Sequence, residues 1–319
     1  MACRFIVFVL SVVLANAVAA QSFPNKPLRI IQGSAAGGNA DTAARLLAQG
    51  MQKALGQPII VDTRLGGAGR IAADAVAKAA PDGYTMLLIT GGHVTTGAAS
   101  KSLPYDTVES FAWISMASEF PFMLVVRADS RLQTLAAVLA EARAKPQTVT
   151  FGSSGTGATL HLVGELMGRM ANVELVHVPY KGESQAMTAI LAGDISFSVA
   201  TPTTAVGQVN GGKVRAIAVS SATRWPGMPD VPTISEAGVP GYDVRSWLGL
   251  ATTGGTPRAV VDRLHEAMMA ALKEPEVKAR LEAMGGTVRG STPDETKQRV
   301  VSELARWNKV ITEANIARE

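Results

Sequence analysis

Apolar strand-like runs alternate with helix-like patterns along most of this 319-residue chain. "LRIIQG" (28–33) precedes a segment, about residues 40 to 55, in which Ala44, Leu47, Met51 and Leu55 fall three and four apart. That spacing places them on one face of a helix. "GQPIIVDTR" (56–64) leads to the helical "AGRIAADAVAKA" (68–79), a "PDGY" turn and the buried-strand run "TMLLIT" (85–90). After an irregular stretch, "FMLVVR" (122–127) opens a second series. It continues as a helix over 134–145, a strand and turn over 148–154, and a helix over 158–170. Strands at 173–180, 194–200 and 213–221 follow, with a helix near 184–191 between the first two. A Pro-rich connector, "WPGMPDVPT" (225–233), and the strand "RSWLGLAT" (245–252) lead to three closing helices. Pro257, Pro275 and Pro293 sit near their starts, where a missing N–H costs little.

Alternating strands and helices predict a mostly parallel sheet covered on both faces. Two such series predict two α/β lobes, one from residues 21–122 and 224–319, the other from 123–223. The closing helices are expected to return to the first lobe.

The N-terminus changes the picture of where the protein works. Arg4, the apolar run Phe5 to Leu14 and the small residues of "AVAAQ" form a secretory signal over residues 1–20, cut after Ala19 or Ala20. Asn16 and "QSFPNKP" end the apolar run short of the roughly 20 residues a membrane span needs. Cys3, the sole cysteine, leaves with that signal, so no disulfide or thiol chemistry is expected. The net charge of +4 comes without a Lys/Arg block, and aromatics make up 5%. That argues against a nucleic-acid groove, which needs clustered cations and stacking rings.

Two Gly- and Ser-rich turns occupy equivalent places in the two series. "GSAAGG" (33–38) and "GSSGTG" (152–157) each follow a strand and open a helix. The free N–H groups of a helix start make a backbone anion site. No Lys or Arg lies between Ile30 and Ala44 or between Phe151 and Gly168. Asn39 stands where a phosphate-binding loop needs Lys, and Leu160 replaces the third Gly of a dinucleotide fingerprint. A polyphosphate is therefore disfavoured and no cofactor is expected. A carboxylate fits donors such as the hydroxyls of Ser34, Ser153, Ser154, Thr156 and Thr159. The alternative, a pair of tight connections that bind only water, stays open on these residues alone. Asp41, in the first turn of its helix, either complements the dipole or bonds the loop amides and fixes their shape.

Enzyme signals are weak. Ser153 and His161 are eight residues apart, but the pattern G-x-S-x-G is absent. His161 reads as a helix residue packed beneath the turn. His93, after a strand, is placed at the cleft, His177 within a strand and His265 on a late, exposed helix face. Four scattered His and no mature Cys give no metal-ligand spacing. Lys181, after a strand, reads as a rim residue.

The ordered segments "PNKPLRIIQGSAAGGNADTAARLLA", "GQPIIVDTRLGGAGRIAADAVAKAAPDGYTMLL", "LPYDTVESFAWIS", "FGSSGTGATLHLVGELM" and "VHVPYKGESQAM" resemble the tripartite tricarboxylate transporter substrate-binding proteins, the Bug-type periplasmic solute receptors. The resemblance continues through "GGKVRAIAVSSATRWPGMPDVPTISEAGVPGYDVRSWLGLATTGGTP" and so spans nearly all of the chain after the signal. It implies a type II periplasmic binding protein fold with a ligand cleft between two α/β lobes. It also implies that both turns grip a ligand carboxylate, with Gly37, Gly38 and Asp41 on one side and Ser153, Gly155, Gly157 and His161 on the other. Ser34, Ala35, Ala36 and His93 complete the first side in this reading, and Ser154, Thr156 and Thr159 the second. Trp247, Phe197 and Thr201 are expected along the opposite wall. Such a receptor, expected to be monomeric and periplasmic, would deliver its acid to separate membrane permease subunits. A signalling module and an exported serine hydrolase are the alternatives. One departure stands out: Gly33 and Ser34 replace the family's usual Pro-Phe, which predicts a cleft lacking an aromatic cover and roomier or more polar than usual.

Overall fold

The computed structural model describes residues 23–34 and 39–318. The expected signal segment lies outside these residues, as do Ala35, Ala36, Gly37 and Gly38 of the first turn.

Eleven strands form two sheets among the described residues. The first sheet holds β1 (Leu28–Gln32), β2 (Ile59–Thr63), β3 (Thr85–Thr90), β4 (Phe111–Pro121), β10 (Arg245–Thr253) and β11 (Thr287–Val288), in the order β11-β4-β10-β3-β1-β2. The second holds β5 (Met123–Arg127), β6 (Thr150–Ser153), β7 (Val176–Pro179), β8 (Phe197–Ala200) and β9 (Val214–Val219), in the order β7-β6-β8-β5-β9. Their helices are α1 (Asn39–Leu55), α2 (Arg70–Ala77), α3 (Gly91–Ala99), α4 (Leu135–Ala144), α5 (Thr159–Met170), α6 (Glu183–Ala192), α7 (Pro202–Asn210), α8 (Arg258–Lys273), α9 (Pro275–Ala283) and α10 (Pro293–Glu313).

The sheets are mixed, not mostly parallel as the alternation predicts. β1 runs parallel to β2 and β3, but β10 is antiparallel to β3 and β4. In the second sheet β6 is parallel to β7 and β8, while β5 is antiparallel to β8 and β9. β11 also runs against β1, β2 and β3; the other two reversed strands, β5 and β10, are those that enter from the other lobe, β5 directly after β4 and β10 after the connector that follows β9. A strand arriving from the other lobe enters its sheet from the cleft end, opposite to the strands that open each βα unit. The connector after β9 stays bonded to it, with Ile234 N–H donating to Val219 O at 2.8 Å and Val244 N–H to Ser220 O at 2.8 Å. The expected boundary at residue 223/224 falls at the head of this connector.

α1 forms as its periodicity predicts. Ala44, Leu47, Met51 and Leu55 are buried, and the same face reaches Leu264, Ala267, Met268 and Ala271 of α8. A Cβ added at Gly50 would lie 2.6 Å from Ala271 Cβ, so Gly permits the close approach of α1 and α8. α10 begins at Pro293 behind a reciprocal Thr292–Glu295 capping box and packs against α3 and β4. The closing helices thus return to the first lobe. A continuous core joins Trp113, Trp247 and Trp307 to Phe151 and Phe197 of the second sheet.

Candidate functional site

Both turn–helix units open at the carboxyl ends of parallel strands, where open α/β sheets bind ligands. On the first lobe, β1 ends at Gln32, which is fully buried. Its Oε1 accepts the Ser34 N–H at 2.6 Å. Its Nε2 lies within hydrogen-bond reach of Ser34 O (2.9 Å), Thr63 Oγ1 (2.7 Å) and Asp41 Oδ1 (3.2 Å). Asp41, 3% exposed, is held in turn by two bonds from the Arg45 guanidinium, at 3.0 and 3.1 Å. Asp41 thus holds the Gln32 amide that in turn bonds Ser34. The alternation of β1 gives Gln32 no signal as a site residue, since polar strand ends are common. The functional weight of Gln32 emerges only when Ser34 and Asp41 converge on it.

A cavity of about 270 Å³ lies beside this turn. Its described lining includes Gly33, Ser34, Ala68, Gly69, Ala72, Thr90, His93, Thr96 and Tyr105, with no Lys, Arg, Asp or Glu. His93 is buried, with Nε2 2.9 Å from Thr107 O. Burial lowers its pKa to about 4, against a smaller opposing effect of that bond, so the ring is neutral at pH 7. Tyr105 stacks on His93 with centroids 5.9 Å apart. The ring of Tyr105 comes from the segment before β4 and supplies an aromatic wall that the Gly33-Ser34 pair does not. Gly66, Gly67, Ala68 and Gly69 all have positive φ, at +123°, +56°, +54° and +91°. This run lets the backbone fold flat over Gly33.

On the second lobe, β6 ends at Ser153, which is fully buried. Its Oγ lies 2.6 Å from His177 Nε2 and accepts the Gly155 N–H at 3.2 Å. Two residues on, Gly157 N–H donates to His161 Nδ1 at 3.0 Å. Gly155 and Gly157 have φ of +128° and +74°, the left-handed region that Gly adopts without a Cβ penalty. Ser154 is half-buried and Thr156 exposed between these fixed points. Thr159 Oγ1 sits 2.9 Å from Thr95 Oγ1 of α3, a direct bond from one lobe to the other.

Two residues expected along the opposite wall, Trp247 and Phe197, lie in the core. Trp247 is fully buried, and its indole N–H donates to Glu303 Oε2 at 3.0 Å. Its large apolar ring belongs to the core beneath α3, with the one polar atom matched inside. Phe197 is also fully buried and stacks on Phe151 at 5.6 Å. Thr201 gives its hydroxyl to Glu183 Oε1 at 2.8 Å. Burial raises the Glu183 pKa, and the bonds from Thr201 oppose that rise. His265 is only partly exposed, with Nε2 3.0 Å from Ser291 O.

Two α/β lobes, each with a helix that starts beyond the carboxyl end of a parallel strand, are the architecture of a two-lobed solute-binding protein. Residues 43–316 match the family model described as the tripartite tricarboxylate transporter family receptor, and the chain belongs to that family. It is similar to the periplasmic binding protein BugD, at 30% identity and a TM-score of 0.78 over 93% of this chain and 100% of that one. An R. palustris protein solved with adipate is 32% identical, with a TM-score of 0.81 over 92% of this chain and 99% of that one. MatC from Rhodopseudomonas palustris, solved with malate, is also 32% identical, with a TM-score of 0.77 over 91% of this chain and 100% of that one. The family model describes a receptor, and BugD is a periplasmic binding protein.

Proposed function

We propose that this protein is a periplasmic receptor, not an enzyme, that closes on one small organic carboxylate and delivers it to tripartite tricarboxylate-type permease subunits. The observation that carries the reading is the cavity beside Gly33 and Ser34, whose described lining holds no Lys, Arg, Asp or Glu. A carboxylate would be held at the turns by N–H and hydroxyl groups, including those of Ser154 and Thr156, and its body would enter the cavity. At about 270 Å³ the cavity is at the small end for ligand pockets, which run from about 300 Å³ upward. The lack of a cation in its described lining favours an acid with one or two carboxylates and an uncharged body over a tricarboxylate, since an unpaired buried charge is costly. The adipate and malate of the neighbours are acids of this size class. Donors from both lobes make the closed state bind better than the open one, the differential affinity that closure requires.

The Ser153–His177 contact is the one observation that favours hydrolysis. It fails as a nucleophile because Ser153 is fully buried and its Oγ is committed to the turn. Among the described residues no carboxylate bonds to His177.

Native mass spectrometry of the purified chain, followed by thermal shifts over mono-, di-, tri- and aromatic carboxylates, tests the reading. An acid at 100 times its Kd adds about 2.7 kcal/mol of stability. No shift with any acid, and no retained anion, would overturn it.

A further inference from the structure

We infer that His177 is a positioning residue of the second-lobe turn: acting on Ser153, and stacked on His161, it fixes the Gly155 and Gly157 amides. The inference rests on the reading of that turn as half of a carboxylate clamp.

The geometry is a closed chain of contacts. His177 Nε2 meets Ser153 Oγ at 2.6 Å, and Ser153 Oγ takes the Gly155 N–H at 3.2 Å. The rings of His177 and His161 stack face to face, centroids 3.7 Å apart and 16° from parallel. His161 Nδ1 takes the Gly157 N–H at 3.0 Å. A nitrogen that accepts carries no proton, so His161 is neutral in this arrangement with its hydrogen on Nε2. That edge lies 3.4 Å from Glu165 Oε1. Phe151 covers the pair, with its centroid 5.0 Å from His177 and 6.2 Å from His161.

Two glycine amides are thus committed inward, on either side of Thr156, and Ser154 precedes the first. The network does not bind the acid. It sets which donors point outward, so that ligand binding need not order the turn itself. A proton on His161 Nδ1 would face the Gly157 N–H donor to donor and break the second fixed point. A proton on both rings would place two cations 3.7 Å apart beneath an aromatic ring. Burial first, and His161 second, lower the His177 pKa to about 3. The other charged groups near the pair are Glu165 on the helix of His161 and Arg169, Glu174 and Glu313 around the surface hollow beside His177. Arg169 and Glu313 are paired with each other at 3.2 Å.

Amide hydrogen exchange by NMR on the unliganded full chain tests this without knowing the natural acid. Wild type is compared with His177→Leu and His177→Gln. The Gly155 amide should exchange at least about tenfold faster in His177→Leu and be largely restored in His177→Gln, while β6 and β8 keep their protection. Affinity for malate and adipate, the probes, should fall in His177→Leu and recover in His177→Gln. Unchanged Gly155 exchange in His177→Leu would overturn the inference. If His177→Leu does not fold, His177→Phe, which keeps a ring against His161 and loses the bond to Ser153, gives the same reading of the Gly155 amide. Absence of binding of any acid by wild type would instead count against the receptor reading, and the exchange result would stand on its own.

Discussion

Gly33 and Gly69 are in backbone contact: a Cβ added at Gly33 would lie 2.8 Å from Gly69 Cα. Gly69, the last of the left-handed run Gly66 to Gly69, packs on Gly33, so Gly33 is fixed by its neighbour. Gly33→Ala should destabilise the protein by about 1–3 kcal/mol, because backbone on both sides must shift. Urea unfolding midpoints check this. A neutral substitution would mean the contact relaxes freely.

Gln32 ties Ser34, Thr63 and Asp41 to one buried amide. Gln32→Ala removes both halves of that amide and should cost about 1–3 kcal/mol for the groups left unsatisfied. It should also weaken carboxylate binding, because the turn loses its support. A variant of unchanged stability and affinity would show that water replaces the amide fully.

Trp247 lies under the site and not in it. Trp247→Phe keeps most of the ring and removes the N–H bonded to Glu303. Unfolding should become easier by about 1–3 kcal/mol, since the acceptor is a buried carboxylate. The rank order of acids bound should not change. A changed rank order in thermal shifts would return Trp247 to the ligand wall.

Stability should fall on acidification well before most carboxylates titrate. His93 and His177 are held neutral in the fold, with pKa values of about 4 and about 3. In the unfolded chain both titrate near 6.5. Between these values the unfolded state binds more protons, so the stability these residues preserve is full above about pH 6.5 and lost as pH falls. Each contributes a slope of at most about 1.4 kcal/mol per pH unit. Unfolding midpoints between pH 7 and 5 should decline, and less steeply in His177→Gln. A flat profile in wild type would contradict the neutral burial of both rings.

Much of the fold was legible because repeating patterns encode it. The three-and-four spacing of Ala44, Leu47, Met51 and Leu55 places α1, and the apolar run Thr85–Thr90 is β3. α3 was not legible: "GGHVTTGAA" has three Gly and two Thr, poor helix formers, and forms a helix through packing against α10 and the first sheet. β4 carries no legible pattern, because its near-continuous burial leaves no alternation over "FAWISMASEFP". The antiparallel entry of β5 and β10 depends on which end of a sheet the chain reaches, which no local pattern records. At the site, the second Gly-rich turn and the placing of His161 beneath it are readable from composition and spacing. Gln32, Tyr105 and His177 are not, because their roles come from partners 31, 12 and 24 residues away. Trp247 and Phe197 read as wall residues for a related reason: a large ring next to a cleft and a large ring beneath it look alike in sequence.

We propose that Ser154 and Thr156 of the second-lobe turn hold a carboxylate whose uncharged body enters the cavity beside Tyr105. The decisive measurement is isothermal titration of the protein with a carboxylate panel, repeated on Ser154→Ala/Thr156→Ala. The account predicts saturable binding of at least one acid with one or two carboxylates, and an affinity lower by about tenfold or more, about 1.4 kcal/mol, in the double variant. Equal affinity in the double variant, or binding of uncharged analogues as tight as the acids, would contradict it.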